Sequence, residues 1–118
     1  MIRFVHCIKA RDDVSESEFR SAFKSAEMES FAQKIKDMTG ADSYNLSLTL
    51  KIDFNINLMN ERQGQEPYDA IIEFWWDSGK ELQTFRENEE FAALQKDVTE
   101  FQQRFIDFSR SSRFFIEA

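Results

Sequence analysis

Few side chains in this sequence could carry out acid–base or nucleophilic chemistry, and two of them are neighbours. His6 is the only histidine and Cys7 is the only cysteine. Adjacent residues of a β-strand point to opposite faces, so these two cannot form a Cys–His dyad or a chelate. A single histidine also excludes multi-histidine metal sites and leaves a catalytic triad one candidate base. Two interpretations of His6 stay open: a hydrogen-bonded histidine of the core or cleft, or a catalytic base.

Two carboxylates could form an acid–base pair if the strands that carry them align as the loop between them suggests. When Leu58 is placed opposite Tyr68, Asp53 lies opposite Glu73, and Lys51 lies diagonal to Glu73. Two carboxylates in a cleft can share a proton and act as acid and base. A solvated pair bridged by Lys51 is the simpler interpretation, and we prefer it.

The composition excludes several classes of protein and of partner. The net charge is −7, from 22 acidic and 15 basic residues, so the chain gains nothing from counterion release on a nucleic acid. Only three glycines occur and no Gly-rich phosphate loop is present, so we expect no cofactor and no metal. The stretch AIIEFWW is too short to span a membrane, and we expect no membrane partner. The single cysteine suits a reducing compartment, which predicts a cytoplasmic protein.

The elements that would position these residues follow from hydrophobic periodicity and turn residues. Strands are predicted at residues 2–10, 44–58, 68–76 and 113–118. Helices are predicted at about 15–38 and, in two pieces, at 80–87 and 89–108. The order β-α-β-β-α-β within a single domain, residues 1–118, predicts a ferredoxin-like α+β fold. One four-stranded antiparallel sheet, with spatial order 4-1-3-2, would then carry the helices on one face.

The second predicted strand, residues 44–58, is unusually long. Its sequence, YNLSLTLKIDFNINL, alternates without interruption between apolar and polar residues. With its even residues towards the helices, its odd face would present mainly Asn, Ser and Thr, which suit a wet interface. The third strand would pair only with the later part, so residues 44–49 would have an unpaired edge. We therefore predict that a second copy of the chain covers this edge.

The apolar stripe of the first predicted helix changes phase along its length. Phe19 and Phe23 belong to one stripe, whereas Phe31 belongs to another that is rotated by more than a third of a turn. The change falls near Glu27, which predicts a kink there or a different packing neighbour for the second half. In the last helix, by contrast, one stripe continues over five turns within residues 91–108 and should anchor the core.

Local signals complete this prediction. Ser15 with Glu18 fits a capping box at the start of the first helix, and Gly40 fits a residue just past its end. Asn88 can cap the helix predicted at 89–108. Trp75 and Trp76 are adjacent in a strand, so one should enter the helix-covered core and the other should lie on the far face of the sheet.

One stretch of the chain resembles a known family. The sequence YDAIIEFWWDSGKELQTFRENEEFAALQKDVTEF, residues 68–101, resembles the C-terminal half of EthD-like proteins, which belong to the dimeric α/β-barrel superfamily. Tyr68 and Asp69 match an aromatic–Asp pair that opens strand three, and EFWWDS matches the end of that strand. NEEFAAL is similar to a Ser-Pro-Glu helix start without its proline. Asp97 and Phe101 match an Asp-x-x-x-Phe motif.

The resemblance implies a homodimer in which two sheets pack face to face into a barrel, with a cleft for small organic molecules. Proteins of this kind are associated with the degradation of ethers and aromatic compounds or with polyketide-type tailoring. Many members carry a histidine in helix one, at about the position where this chain has Glu27. This departure leads to the hypothesis that Glu27 borders the cleft and transfers protons. The alternative is an ordinary surface glutamate.

Two functions therefore stay open. In the first, an EthD-like dimer binds a small apolar or aromatic molecule, with acid–base chemistry by Glu27 and His6. The cleft walls would then be formed by the aromatic residues Phe4, Phe23, Phe74, Trp75 and Trp76. In the second, the same fold is a non-catalytic dimeric module with a structural or interaction role. A closed pocket of about 300 Å³ or more that touches His6 or Glu27 would favour the first function, and a cleft filled by side chains would favour the second.

Overall fold

The computed structural model describes residues 1–82, 85 and 87–118, with the exception of the side chain of Glu81. The strands of the described chain are β1 (Ile2–Ile8), β2 (Ser43–Leu48), β3 (Ala70–Trp76) and β4 (Ser112–Glu117). The helices are α1 (Glu16–Phe23), α2 (Ala26–Thr39), α3 (Asp53–Glu61) and α4 (Glu89–Gln102), with 3₁₀ turns at Gly79–Glu81 and Phe108–Arg110. The helical piece predicted at 80–87 lies partly outside the described residues.

The strands form one antiparallel sheet in the order β2-β3-β1-β4, which confirms the predicted order and the ferredoxin-like α+β architecture. Burial alternates along β3 because successive side chains point to opposite faces. Ile72, Phe74 and Trp76 are buried on the helix-covered face, whereas Glu73 and Trp75 are half-buried on the other face. The two tryptophans therefore face opposite ways, as the sequence predicts.

The prediction of a fifteen-residue second strand is wrong. β2 ends at Leu48, and the chain then forms helix α3. The cause lies in β3, which is seven residues long and offers no partner beyond Leu48. One backbone bond continues past this point, from the amide of Thr49 to the carbonyl of Asp69 at 3.0 Å, but residues 62–69 form no strand that could extend the pairing. Residues without a neighbouring strand instead satisfy their backbone groups locally, in a helix.

The register predicted between strands two and three is wrong for the same reason. Asn45, and not Asp53, lies opposite Glu73. The Glu73 carboxylate instead accepts a hydrogen bond from the guanidinium of Arg3 at 3.2 Å. The side-chain nitrogen of Lys51 is 2.9 Å from a carboxylate oxygen of Asp69, so Lys51 does not bridge Asp53 and Glu73. The structure thus removes the proposed acid pair and the predicted overhang of residues 44–49, since every residue of β2 pairs with β3. The other edge of β2 is an outer edge of the sheet.

The predicted change of direction in the first helix is confirmed as a complete break, just before Glu27. Ser25 causes it: its hydroxyl donates to the carbonyl of Ala22 at 2.7 Å and accepts from the amide of Met28 at 3.1 Å. One side chain therefore ends α1 and caps α2. At the other end of α2, Gly40 adopts a left-handed conformation with φ 69°, as expected for the residue that closes a helix.

The cap predicted at the start of the first helix is also present. The hydroxyl of Ser15 accepts from the amide of Glu18 at 3.1 Å and donates to the Glu18 carboxylate at 3.0 Å. The glutamate thus contacts the capping hydroxyl, whereas a reciprocal capping box would place it on the Ser15 amide. Asn88 caps α4 in the predicted position, with its side chain accepting from two backbone amides of the first turn.

Phenylalanine rings fill the core between the helices and the sheet. The rings of Phe19 and Phe23 stack with centroids 6.0 Å apart, and Phe19 meets Phe105 at 5.8 Å. Phe101 of α4 packs on Phe105 at 5.3 Å. The predicted five-turn stripe is shorter in the structure, because α4 ends at Gln102 and Phe108 is exposed. The chain turns there, and the backbone amide of Asp107 donates to the carbonyl of Lys9, just after the end of β1.

Candidate ligand-binding cleft

A cleft of about 620 Å³ lies between the helix-covered face of the sheet and helices α2 and α4. Its volume falls in the range of about 300–1,000 Å³ that is usual for small-molecule sites. The walls are mainly aromatic and aliphatic, and include Phe31, Ile35, Leu46, Ile72, Phe91 and Phe115. The cleft touches His6 and is larger than 300 Å³, as a small-molecule function requires, but it is partly open to solvent and not a closed pocket.

Four of the predicted site residues contribute to this cleft. Phe4 and His6 on β1 and Phe74 and Trp76 on β3 all occupy even positions of their strands and line its floor. The indole of Trp76 also donates to the carbonyl of Thr39 at 3.1 Å, which fixes the ring against the end of α2. The position of these residues follows from the alternation of side chains along a strand.

Three predicted site residues lie elsewhere. Phe23 is only 1 % exposed and packs on Phe19 in the closed core, so it does not line the cleft. Trp75 lies on the opposite face of the sheet, with the guanidinium carbon of Arg3 5.6 Å from its ring centroid. Glu27 is exposed in the first turn of α2 and does not contribute to the cleft wall. A carboxylate there stays hydrated and interacts favourably with the helix N-terminus, so the prediction that Glu27 borders the cleft is wrong.

Polar side chains gather at one end of the cleft. Arg113 of β4 lies directly opposite His6 of β1, and Gln102 at the end of α4 completes the group. His6 is 6 % exposed and Gln102 is 8 % exposed, so both are buried within the single chain. A second, smaller cavity of about 250 Å³ is lined by the same three residues together with Thr99, Phe108 and Ser111. We call His6, Gln102 and Arg113 the polar junction, because it borders both cavities.

The environment of His6 favours a neutral imidazole. Burial and, to a smaller extent, the positive charge of Arg113 together lower the pKa of His6 from 6.5 to about 4. At neutral pH the ring therefore has one nitrogen that can donate and one that can accept. Among the described residues, none forms a hydrogen bond with this imidazole. The structure places His6 in the wall of the cleft, a position compatible with both interpretations that the sequence left open.

Two members of the polar junction were missed by sequence reasoning. Arg113 faces His6 only through the register of β1 with β4, which joins residues 107 positions apart in the chain. Gln102 carried a detectable signal, since Phe91, Gln95, Val98 and Gln102 recur at helical spacing and all line the cleft. Glutamines on such a ridge, beside an otherwise apolar stripe, indicate a helix face that borders a cavity and not a closed core.

The structure offers no sign of a metal centre or of a membrane segment in its described part. Within residues 1–82, 85 and 87–118, no group of three His, Cys, Asp or Glu side chains is placed to hold a metal ion. None of the helices in these residues is long and apolar enough to cross a membrane.

The sheet order and the helix-covered face define the chain as a ferredoxin-like α+β domain with a cleft between its two layers. A sequence model of the EthD domain matches residues 11–108. Because this match spans most of the chain, the protein belongs to the EthD domain family. No curated protein matches the chain at a significant level.

Solved structures with a similar fold include three proteins of low sequence identity. A dimeric protein of unknown function and ferredoxin-like fold from Bacteroides fragilis has a TM-score of 0.61 and 11 % identity, covering 99 % of this chain and 95 % of that one. An ethyl tert-butyl ether D (EthD) family protein from Bacillus halodurans has a TM-score of 0.62 and 14 % identity, covering 100 % and 98 %. A protein from Arabidopsis thaliana has a TM-score of 0.59 and 12 % identity, covering 100 % and 95 %. These similarities concern the fold alone.

Proposed function

We propose that this protein binds a small, largely apolar or aromatic organic molecule in the cleft between its sheet and helices. The observation that carries the proposal is the combination of a cavity of about 620 Å³, mainly apolar walls and a buried polar group at one end. Ligand sites commonly have this composition, because apolar walls supply affinity and a few polar groups fix orientation. Membership of the EthD domain family supports a role in degradation or polyketide-type tailoring of such compounds.

We assign His6 the role of proton acceptor if a reaction takes place in the cleft. A neutral imidazole can accept a proton from an acidic C–H or O–H group of a bound molecule. The guanidinium of Arg113, opposite His6 in the sheet, would stabilise the negative charge that such a transfer leaves on the ligand. Glu27 takes no part in this assignment, because it is exposed outside the cleft.

The two tryptophans supply a matched pair for the test. In Trp75→Phe the remaining Trp76 lines the cleft, whereas in Trp76→Phe the remaining Trp75 lies on the other sheet face. Thermal-shift screening with small aromatics, quinones and ketones would first identify a stabilising compound. Titration with that compound should then quench the fluorescence of Trp75→Phe in a saturable way and leave that of Trp76→Phe nearly constant. Equal quenching of both variants, or no stabilising compound in the screen, would contradict the proposal.

A second proposal, a homodimer built through the helix-free face of the sheet, rests on a separate observation. That face carries Trp75, half-buried, and Phe114 and Ile116, which are 44 % and 37 % exposed in the single chain. Apolar side chains on an uncovered sheet face are typical of a protein contact surface. The neighbour from Bacteroides fragilis is described as dimeric. Such a dimer is compatible with ligand binding and also with the alternative of a non-catalytic module.

Multi-angle light scattering at micromolar concentration tests the dimer directly. The wild-type protein should have twice the mass of a single chain, which is 14.0 kDa. Ile116→Glu should give a monomer, because it places a charge in the middle of the proposed contact. Leu58→Glu is the matched control, since Leu58 is an exposed apolar residue of α3. A monomeric wild-type chain, or a dimer that persists in Ile116→Glu, would refute this interface. The cytoplasmic location stays a prediction.

A further inference from the structure

The polar junction differs from the rest of the cleft in charge and in hydrogen-bonding capacity. Among the described residues that line the large cleft, Arg113 is the only one with a formal charge. The same three residues border the smaller cavity, so a ligand group at this point would contact donors from three separate elements. We propose that the natural ligand is an organic anion whose carboxylate, phenolate or enolate oxygen binds at the polar junction and whose apolar body lies in the large cleft. This inference rests on the proposed small-molecule function.

The charge of Arg113 is available for such a ligand. In the described chain, the guanidinium groups of Arg3, Arg11 and Arg110 each form an ion pair with a carboxylate. Arg113 takes part in none of the ion pairs found among the described residues. Arg113 is exposed, like Arg62 and Arg104, which also take part in none of the ion pairs found among the described residues. Arg113 differs from them in that it borders two cavities whose described lining contains no acidic residue. A guanidinium can bind a carboxylate through two parallel hydrogen bonds, which also fixes the orientation of the ligand.

The two uncharged members of the junction are suited to the same ligand oxygen. The amide of Gln102 has two N–H donors, and a neutral imidazole at His6 has one. Both side chains are buried, and no hydrogen bond between them or to Arg113 is found in the described chain. Among the described residues, only Nε of Arg3 is a buried side-chain polar atom without a partner, so the polar atoms of His6 and Gln102 are still reached from the cavities. A ligand oxygen could therefore accept hydrogen bonds there in place of water. Neutral ketones offer this acceptor too, but only an anion would also use the charge of Arg113.

The smaller cavity limits what can accompany the anionic oxygen. The hydroxyl of Thr99 donates to the carbonyl of Gln95 at 2.8 Å, and that of Ser111 donates to the carbonyl of Asp107 at 2.7 Å. Both hydroxyl hydrogens are therefore used, and the Ser111 oxygen also accepts from the amide of Lys9 at 2.9 Å. The oxygen of Thr99 and the second lone pair of Ser111 remain as acceptors. A small donor group beside the acid, such as a hydroxyl, fits this cavity better than a second acidic group.

A pair of isosteric probes tests the inference. Calorimetric titration with 2-naphthoate and with neutral 2-naphthamide compares the same ring system with and without a charge. The wild-type protein should bind the acid at least about tenfold more tightly than the amide. Arg113→Gln should reduce this preference to about threefold or less while leaving amide binding nearly unchanged, and Arg113→Lys should retain most of it. Arg62→Gln is the control, because it removes the same charge from an exposed residue after α3.

The outcomes separate this inference from the function on which it rests. If the wild-type protein binds the amide as tightly as the acid, the anion is refuted while the apolar-ligand function stands. If Arg113→Gln weakens both probes equally, Arg113 supports the cleft shape and the inference is also refuted. If neither probe binds at millimolar concentration and the thermal-shift screen finds no ligand, both proposals fail. Retained amide binding in Arg113→Gln shows in the same experiment that the cleft of the variant is intact.

Discussion

Mild acid should destabilise this protein through His6. Burial and the charge of Arg113 lower the pKa of His6 from 6.5 to about 4 in the folded chain. The stabilisation that comes from this neutral histidine is complete above about pH 6.5 and is lost as the pH falls towards about 4, because only the unfolded chain takes up the proton in that window. The difference between 6.5 and about 4 corresponds to about 3 kcal/mol of unfolding free energy.

Urea unfolding of the wild-type chain and of His6→Gln at about pH 7.5 and about pH 4.5 measures this effect. Glutamine is similar in size, can form hydrogen bonds and carries no charge at either pH. Between these two conditions the wild-type protein should lose about 2–3 kcal/mol more than His6→Gln. Arg113→Gln should lose less than the wild type, because removal of the positive charge raises the pKa of His6. Burial still lowers that pKa, so part of the loss should remain.

The carboxylates with lowered pKa values change the unfolding free energy only at lower pH, so they do not contribute to the difference expected between the wild type and His6→Gln. In Asp107, hydrogen bonds from Ser109 and then Arg110 lower the pKa from 3.8 to about 2. In Asp69, burial raises the pKa, but hydrogen bonds from the amide of Ala10 and from Lys51 outweigh it and lower the pKa below 3.8. The stability contributed by both groups is present above pH 3.8 and is lost only below it. An equal loss in wild type and His6→Gln would therefore refute the neutral, buried histidine.

Three further predictions, two of them with a control substitution, test the fold. Phe23→Ala should cost about 3–5 kcal/mol, since the ring is 1 % exposed; Phe54→Ala, at a side chain 75 % exposed, should change the unfolding free energy by less than about 0.5 kcal/mol. Similar values for the two would contradict the core assignment. Gly40→Ala should cost about 1 kcal/mol because of its φ of 69°. Gly64→Ala should be neutral, because its new methyl group would make only an ordinary contact of 3.7 Å with the carbonyl oxygen of Met59. A neutral Gly40→Ala would rule out the left-handed cap. Asp69→Ala should lower the unfolding free energy by about 2 kcal/mol, because the carboxylate of Asp69 accepts from the amide of Ala10 at 2.7 Å and from Lys51 at 2.9 Å. An unchanged midpoint of urea unfolding would show that these hydrogen bonds contribute nothing to stability.

The topology could be predicted from the sequence because its signals are local. Ser15, Gly40 and Asn88 each mark a helix end through their own side chain or backbone, and the structure confirms all three. The length of β2 could not be predicted in this way. An alternating pattern shows that a segment could pair as a strand, whereas the length of β3 and the path of residues 69 and 70 decide how far it does pair. The second half of the alternating stretch therefore became α3.

The candidate site, too, could be predicted from the sequence only where its residues follow from local signals. Phe4, His6, Phe74 and Trp76 share a face because each sits at an even position of a strand, and strand alternation is visible in the sequence. The junction with Gln102 and Arg113 depends on a pairing between β1 and β4 and on the position at which α4 ends, and both are set by tertiary contacts. Glu27 was placed by analogy with a family position. The break at Ser25 begins a new helix there, and the carboxylate reaches solvent in its first turn.

Helix α3 has the weakest attachment to the rest of the domain, with a consequence for its dynamics. None of its nine residues is buried, and its first residue follows Ile52, which provides no side-chain cap. A helix of this length is marginal by itself in water, so its amides should exchange with solvent through local opening of low free energy. Opening it uncovers little additional surface, so low concentrations of urea should hardly change its exchange rates. The amides of β3, which is hydrogen-bonded on both sides, should in contrast exchange only when the whole domain unfolds.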